Sequence, residues 1–355
     1  MKKYLFLLLT GAAPFLAKAQ SGDFSALIKS GPADATKLSR AYLTPMFKGL
    51  GVGLNSGWNT TAAAKGLGGF DVRFGGTIAL APSADKTFNI GTLGLSSNLR
   101  AASNSSATTP TVFGSGSGSQ LVVTDNNGRE VERFTLPGGS GISFAPAPEV
   151  QASVGLVFNT EISARFTPRI NFGDDFGRVS SWGIGFKHDL IQHFVGGTAE
   201  KLVPFNLAVA FAFSRLNYDL DLDVPPPSNA QPANSQQSTD FSNQKIEGHL
   251  NGVNVELILS KKLLAFTPFL SVGWNSARTN VGLKGNYPII TGANLTGQRF
   301  YTTFTDPVSI KETAYSGFRG NLGFQVQAAF FRLFASYSIA EYQAVNAGIG
   351  FGFGK

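Results

Sequence analysis

The chain has 355 residues, no cysteine, a formal net charge of +7 and only 14% charged side chains, against 42 glycines and 31 phenylalanines. Without cysteine, an exported chain of this length is not a disulfide-stapled scaffold and must draw its stability from sheet pairing and burial. Nor does the positive charge indicate nucleic acid, because Lys and Arg stand singly along the chain, outside runs or stacking motifs.

Residues 1–19 predict a secretory signal peptide: a basic "MKK", the apolar "YLFLLLTGAAPFLA", and Ala17-Lys18-Ala19 with the small-x-small form of a cleavage site. The mature chain is then expected to begin at Gln20, and with no Cys after the apolar run it carries no lipid anchor. Beyond residue 19 nothing approaches the roughly 18 uninterrupted apolar residues of a spanning helix. A membrane location would therefore require a barrel.

Residues 20–50 predict a helical segment, with Pro32 at a helix start and Leu38, Tyr42 and Phe47 at about helical spacing. Pro45 is expected to kink or end it. The following "GLGVGLNSGWNT" has too little apolar periodicity to assign, and its glycines, like those of "GSGSGS" further on, read as flexible linker rather than a phosphate cradle.

From residue 67 a period-two pattern takes over, the mark of strands with one apolar and one polar face. In "GFDVRFGGTIAL" Phe70, Val72, Phe74, Ile78 and Leu80 oppose Asp71, Arg73 and Thr77, and in "EISARFTPRINF" Ile162, Phe166 and Ile170 oppose Glu161, Arg165 and Arg169. Further strands are expected at 86–93, 120–136, 149–158, 178–188, 203–218, 245–259, 266–282, 318–330, 332–340 and 343–354. A phase shift between Leu250 and Val253 predicts a bulge near Gly252. Short turns ("AFFRLF", "LSKKLLA") contrast with long polar loops at 96–120, 224–244 and 284–311, and "HDLIQHFVGGTAEKLV" at 188–203 falls by parity on the short-turn side as a short helix.

A soluble sandwich and a membrane barrel both alternate. Here the polar face is Gly, Ser, Asn and Gln with isolated charges, the apolar face is rich in Phe, and the strands exceed the usual five or six residues. The sequence thus predicts an all-β protein: a transmembrane antiparallel β-barrel of 12–14 strands over residues 51–355, behind a signal peptide (1–19) and a helical plug (20–50). Its localisation would be the bacterial outer membrane, with outer-membrane lipid as its surroundings, as a monomer. Phe166 and Ile170 would then face lipid, and the lumen would carry Asp71, Arg73, Glu161, Arg165, Arg169, Lys187, Glu256, Arg319 and Arg332, either as bracing ion pairs or as a field on a solute. Trp182, Trp274, Tyr218, Tyr315 and Tyr337 fit interfacial belts.

Catalytic motifs are missing. His188, His193 and His249 have no metal-ligand spacing, no Ser lies in a G-x-S-x-G turn, and none of the histidines is followed by x-Ser. No enzyme activity and no cofactor is expected. Asp219, Asp221 and Asp223 alternate in "YDLDLDVPPP", so like charges would crowd one side unless a cation or basic groups intervene; they are a weak metal candidate without the Gly and distal Glu of a calcium loop.

Tyr42, Leu43 and Pro45, "LNSGW" (54–58), "GFD" (69–71), Pro82 to Phe88 and "KHD" (187–189) together resemble an uncharacterised family of Bacteroidota outer-membrane proteins, a domain of unknown function, over nearly the whole mature chain. The helix before the barrel is similar at fold level to the hatch of outer-membrane long-chain fatty-acid transporters, without a shared motif. The C-terminus departs from the usual aromatic ending: Phe351 and Phe353 alternate, but Lys355 is last. Two functions follow as expectations: a porin-like channel or transporter for small hydrophobic molecules, or a structural or surface-interaction protein acting through its long external loops.

Overall fold

The computed structural model describes residues 25–125, 128–171, 177–195 and 203–353. The expected signal peptide and Lys355 lie outside the described residues. Ten strands close on themselves: β1 (Phe70–Leu80), β2 (Phe144–Leu156), β3 (Thr160–Asn171), β4 (Arg178–Asp189), β5 (Asn206–Asp221), β6 (Lys245–Ser260), β7 (Phe266–Lys284), β8 (Ser309–Ala328), β9 (Phe331–Ile339) and β10 (Gln343–Phe353). Each pairs antiparallel with its chain neighbour, and β1 pairs with β10, so no edge is left open.

Ten strands, against the expected 12–14, have a simple cause. The two surplus segments, 86–93 and 120–136, form strands in small sheets outside the wall: Thr87–Asn89 pairs with Thr108–Pro110, and Gln120–Thr124 lies between Leu99–Ala101 and Glu130–Thr135. The 284–311 loop likewise folds, with Asn286–Ala293 and Arg299–Thr305 joined by Ala230–Pro232. All of this material sits at one end of the barrel as a cap. At the opposite end are the short β2–β3, β6–β7 and β8–β9 turns, the four-residue helix Ile191–Phe194, and the adjoining ends of β1 and β10.

Helix α1 (Ser25–Ile28) leads into α2 (Pro32–Asn55), which enters from the cap and runs down the lumen. Its first half packs in the cap core, where Leu38, Tyr42 and Phe47 meet Leu121, Phe134 and Ile310. Burial pushes the Tyr42 hydroxyl up to about 12, and it serves as a neutral donor to the Gly138 carbonyl at 2.8 Å. The helix continues through Pro45, and nearby the Tyr42 carbonyl accepts an outside N–H, from Val112 at 3.2 Å. The glycine-rich passage expected to be linker is in fact the second half of this helix. Gly49 and Gly53 face β2, where an added Cβ would lie 2.8 Å from that of Ala145 and 2.6 Å from that of Ala147, while Gly51 stands closer still to Ala277 of β7. The helix is wedged between opposite walls at positions where only glycine fits. The "GSGSGS" stretch is packed too: Gly139 N–H donates to Gly116 and Gly141 N–H to Gly114, at 3.0 and 2.8 Å.

The outer wall is an apolar belt. On β7 its outward side runs from Phe266 to Trp274, nine residues, which at ~3.3 Å each and a tilt of about 40° rise roughly 23 Å, close to the ~25 Å apolar band of membrane barrels. Above the belt the faces exchange polarity. On β6 the outward side reads Leu259, Leu257, Val255, Val253 and then Asn251, His249, Glu247, Lys245, while the inward side turns from Glu256 and Asn254 to Leu250 and Ile246, which are buried. The phase shift at 250–253 is this exchange; β6 pairs with both neighbours in unbroken register, so the expected bulge at Gly252 is absent. Bulges occur instead between Thr167 and Ile170 and between Ala277 and Arg278. The first reverses two expectations: Ile170 takes the inward register beside Val179, and Arg169 is exposed outside the wall. Trp182, Trp274 and Tyr337 lie on the outer wall, whereas Tyr315 is buried inside and Tyr218 packs on the cap core.

Helix propensity alone would make Gly51→Ala stabilising by about 1 kcal/mol, whereas forcing a methyl into a packed contact costs ~1–3 kcal/mol. Gly51→Ala should therefore lower the unfolding temperature in detergent, while Gly320→Ala, where an added Cβ meets nothing within 4 Å, leaves it unchanged.

Candidate functional site: the filled lumen

A helix ends with four carbonyls that lack helical donors. In α2 these belong to Val52, Gly53, Leu54 and Asn55, deep inside a wall of strands, and each has a donor. Ser56 Oγ donates to Val52 at 2.7 Å and Ser56 N–H to Gly53 at 3.1 Å. Leu54 receives Arg165 Nη1 at 3.3 Å, Ser214 Oγ at 3.2 Å and Trp58 Nε1 at 3.1 Å. Asn55 receives Arg319 Nη2 at 2.8 Å. Beyond the helix, Arg165 also donates to the Ser56 carbonyl at 2.9 Å, and Arg73 and Gln151 donate to that of Trp58 at 2.7 and 3.1 Å. Three arginines from β1, β3 and β8 thus converge on the negative end of the helix dipole, where cations are stabilising.

The same residues fix the linker below. Trp58 lies under the Arg165 guanidinium, 4.1 Å from its ring centre, a cation–π contact. Its other neighbours are Gly183 and Gly185 of β4, where an added Cβ would come within 3.0 Å of the ring. Arg165 is paired with Glu149 at 2.8 Å, both buried. Glu256 accepts from Asn59, Ser271 and Asn321 at 2.8, 2.9 and 3.3 Å. Nearest the uncapped end, charges alternate around the lumen: Arg332 with Asp71 at 2.6 Å, Asp71 with Lys65 at 3.3 Å, Lys65 with Glu161 at 2.9 Å, and Glu161 with Lys187 at 3.1 Å.

Of the nine residues assigned to the lumen from sequence, eight are inside and under a tenth exposed; the exception is Arg169. Arg169 and Arg178 hold Asp219 from the outer surface, Arg178 also reaches Asp221 at 2.9 Å, and Asp223 lies past the end of β5. Basic groups therefore meet these carboxylates. Among the described residues no group of three or more His, Cys, Asp or Glu is placed to hold a metal ion.

Lys65, Trp58 and Glu149 are among the lumen residues not assigned from sequence, as are Asn59, Gln151 and Ser214. Glu149 shares inward parity with Gln151 and Ser153 and was legible on that ground; Lys65 and Trp58 lie in a stretch with no periodicity to place them. His188 and His193 also meet, Nε2 to Nε2 at 2.8 Å, because the Ile191–Phe194 turn folds His193 back, and Thr160 Oγ1 holds His188 Nδ1 at 2.8 Å.

A closed antiparallel wall, apolar outside and polar within, threaded by its own helix, defines a plugged β-barrel of the membrane-spanning type. The chain belongs to a family of unknown function, DUF6588, whose pattern matches residues 1–353. No curated protein matches it in sequence. Among solved structures it is similar to the translocator domain of the autotransporter NalP from Neisseria meningitidis (10% identity, 92% of this chain and 99% of that one, TM-score 0.28). It is similar also to the outer membrane transporter YddB from Escherichia coli (8% identity, TM-score 0.32), covering 81% of this chain but only 41% of that one. The toluene transporter TodX from Pseudomonas putida aligns at 8% identity over 86% of this chain and 98% of that one, with a TM-score of 0.25. At such scores the likeness carries no argument of its own, and the class rests on the wall itself.

Removing one partner of a buried pair costs about 3–5 kcal/mol, because the other charge is left unpaired. Arg165→Met should destabilise by about that much, since it orphans Glu149 and leaves the Ser56 carbonyl without Arg165. Arg165→Met with Glu149→Gln should cost less than the two single changes summed, by ~0.5–3 kcal/mol in a double-mutant cycle of detergent unfolding.

Proposed function

We propose that this protein is a non-enzymatic outer-membrane barrel, closed in its resting state, that spans the membrane as a monomer and presents its folded cap at the cell surface as the working part. The observation that carries this reading is the end of α2: its last four carbonyls are all satisfied by wall or linker groups, so the helix is built into the barrel. The cap supports it, since the long loops fold into small sheets around an apolar core shared with α1 and α2. In outer-membrane barrels the long-loop end faces out of the cell.

One observation favours a second reading, passage of a small molecule. Along β6 and β7 a polar seam beside the helix holds buried atoms with no hydrogen-bond partner in the protein: Asn254 Nδ2, both polar atoms of the Asn275 amide, and Asn55 Oδ1. The protein therefore makes no hydrogen bond through these atoms that a shift of the helix on that side, admitting a solute, would have to break. A hydrophobic solute would still have to cross the apolar cap core.

Refolded full-length protein in a planar bilayer should show no steady conductance, and a peptide tag inserted at residue 235 should be labelled by antibody on intact cells. A steadily open wild-type channel would overturn the closed-barrel reading, and a tag reached only after permeabilisation would overturn the surface assignment. If the wild type is closed but Arg165→Ala with Arg319→Ala conducts while still folded, the arginines are the latch of a gated passage.

A further inference from the structure

The exchange of polarity along the strands marks where the lipid belt ends, and on one flank the wall continues well above it. There β5, β6, β7 and β8 carry outward polar residues beyond Phe213, Val253, Trp274 and Phe318. Register places Arg215, Asn251, Arg278 and Thr313 across neighbouring strands, and above them Asn217, His249, Asn280 and Lys311. These two rows contain cationic and neutral residues and no carboxylate. Acids begin one step higher, with Asp219 and Glu247.

Those acids are already engaged: Asp219 and Asp221 by Arg169 and Arg178, Glu247 by Lys245, and Asp306 of the nearby loop by Lys284. Among the described residues no carboxylate lies within ion-pair distance of Arg215, Arg278 or Lys311; Arg215 Nε donates to Asn217 Oδ1 at 3.1 Å. Arg215 and Arg278 are two strands apart, about 10 Å at the Cα atoms, so two long guanidinium side chains can converge over Asn251 on one doubly charged group. Below them, past the row of Ser276 and Ser316, the wall turns bare and apolar from Phe318, 85% exposed, down to Leu322, 66% exposed in the middle of the belt. The ligand that complements this surface is an amphiphile with acyl chains at the belt and phosphate just above it, bound by charge-assisted, partly bidentate hydrogen bonds.

We infer that the Arg215–Arg278–Lys311 face is a binding site for the sugar phosphates of an acylated glycolipid in the outer leaflet. This rests on the outer-membrane reading above, which fractionation of cells tests separately: a protein absent from the outer-membrane fraction fails that reading whatever it binds.

The test uses the full-length protein refolded in a zwitterionic detergent. It is titrated with diphosphorylated lipid A, with fully dephosphorylated lipid A and with inorganic phosphate, and the bound complex is read by native mass spectrometry. Diphosphorylated lipid A should bind, the dephosphorylated form at least ten-fold more weakly, and inorganic phosphate should not compete at equal concentration. Combining Arg215→Gln, Arg278→Gln and Lys311→Gln should weaken lipid A binding at least ten-fold, while Lys261→Gln with Lys262→Gln, a basic pair at the opposite end of the barrel, should leave it unchanged. Should the triple variant not refold, Arg278→Gln alone, a change at an exposed position, should weaken binding three-fold or more. Equal binding of the dephosphorylated lipid, competition by inorganic phosphate, or unchanged affinity in the folded variants would each overturn the assignment.

Discussion

A helix that ends inside a barrel brings with it a set of carbonyls that water cannot freely reach, and the rest of this molecule is arranged around satisfying them. Arg165 and Arg319 donate directly to the terminal turn and Arg73 to the linker just beyond it. The wall therefore carries cations at one level of the lumen, and Glu149 answers the one most heavily used, Arg165. The same requirement explains the glycines of the last two turns. To deliver its end to the arginines the helix must pass between Ala145 and Ala147 on one side and Ala277 on the other, and side chains there would hold it away. About 1 kcal/mol of helix propensity is given up at each glycine, and wall contact makes up the difference.

A second consequence concerns which way the chain is threaded. The helix begins in the cap and the linker leaves at the opposite end, so the first strand starts beside the last and the barrel closes without a crossover. A plug lying beneath the barrel would have left the cap without the side chains of α1 and α2 that fill its core. Instead cap and plug share one hydrophobic cluster, so displacing the helix from the lumen also disturbs the loops. That coupling lets an event at the cap reach the lumen, and equally lets the cap lock it shut.

Much was legible in the sequence, and for a geometric reason. A strand's period of two needs no tertiary information, so the ten wall strands, the inward parity of Asp71, Arg73, Glu161 and Arg165, and the outward parity of Phe70 and Phe166 can all be read from residue order. The reading failed where parity stopped being a constant. One extra residue between Thr167 and Ile170 turned Arg169 outward and Ile170 inward, and the change in β6 that resembles a bulge is instead a change of surroundings from lipid to headgroup and water.

What the sequence by itself determined is thus the class of wall and the face each belt residue presents, because both follow from alternation over a length set by the membrane. What only the tertiary structure decided is which alternating segments join that wall, why a glycine-rich stretch is helical, and what the buried charges hold. Segments 86–93 and 120–136 alternate as the wall strands do but pair locally, the first with 108–110 and the second with 99–101 and across its own hairpin, a choice that alternation does not record. Gly49, Gly51 and Gly53 carry no helical signal, since their contribution is the absence of side chains against alanines that lie about a hundred or more residues later in the chain. Arg165 and Arg319 look like pore-lining charges until the end of the helix is placed between them, and no local pattern records where a helix will end in space.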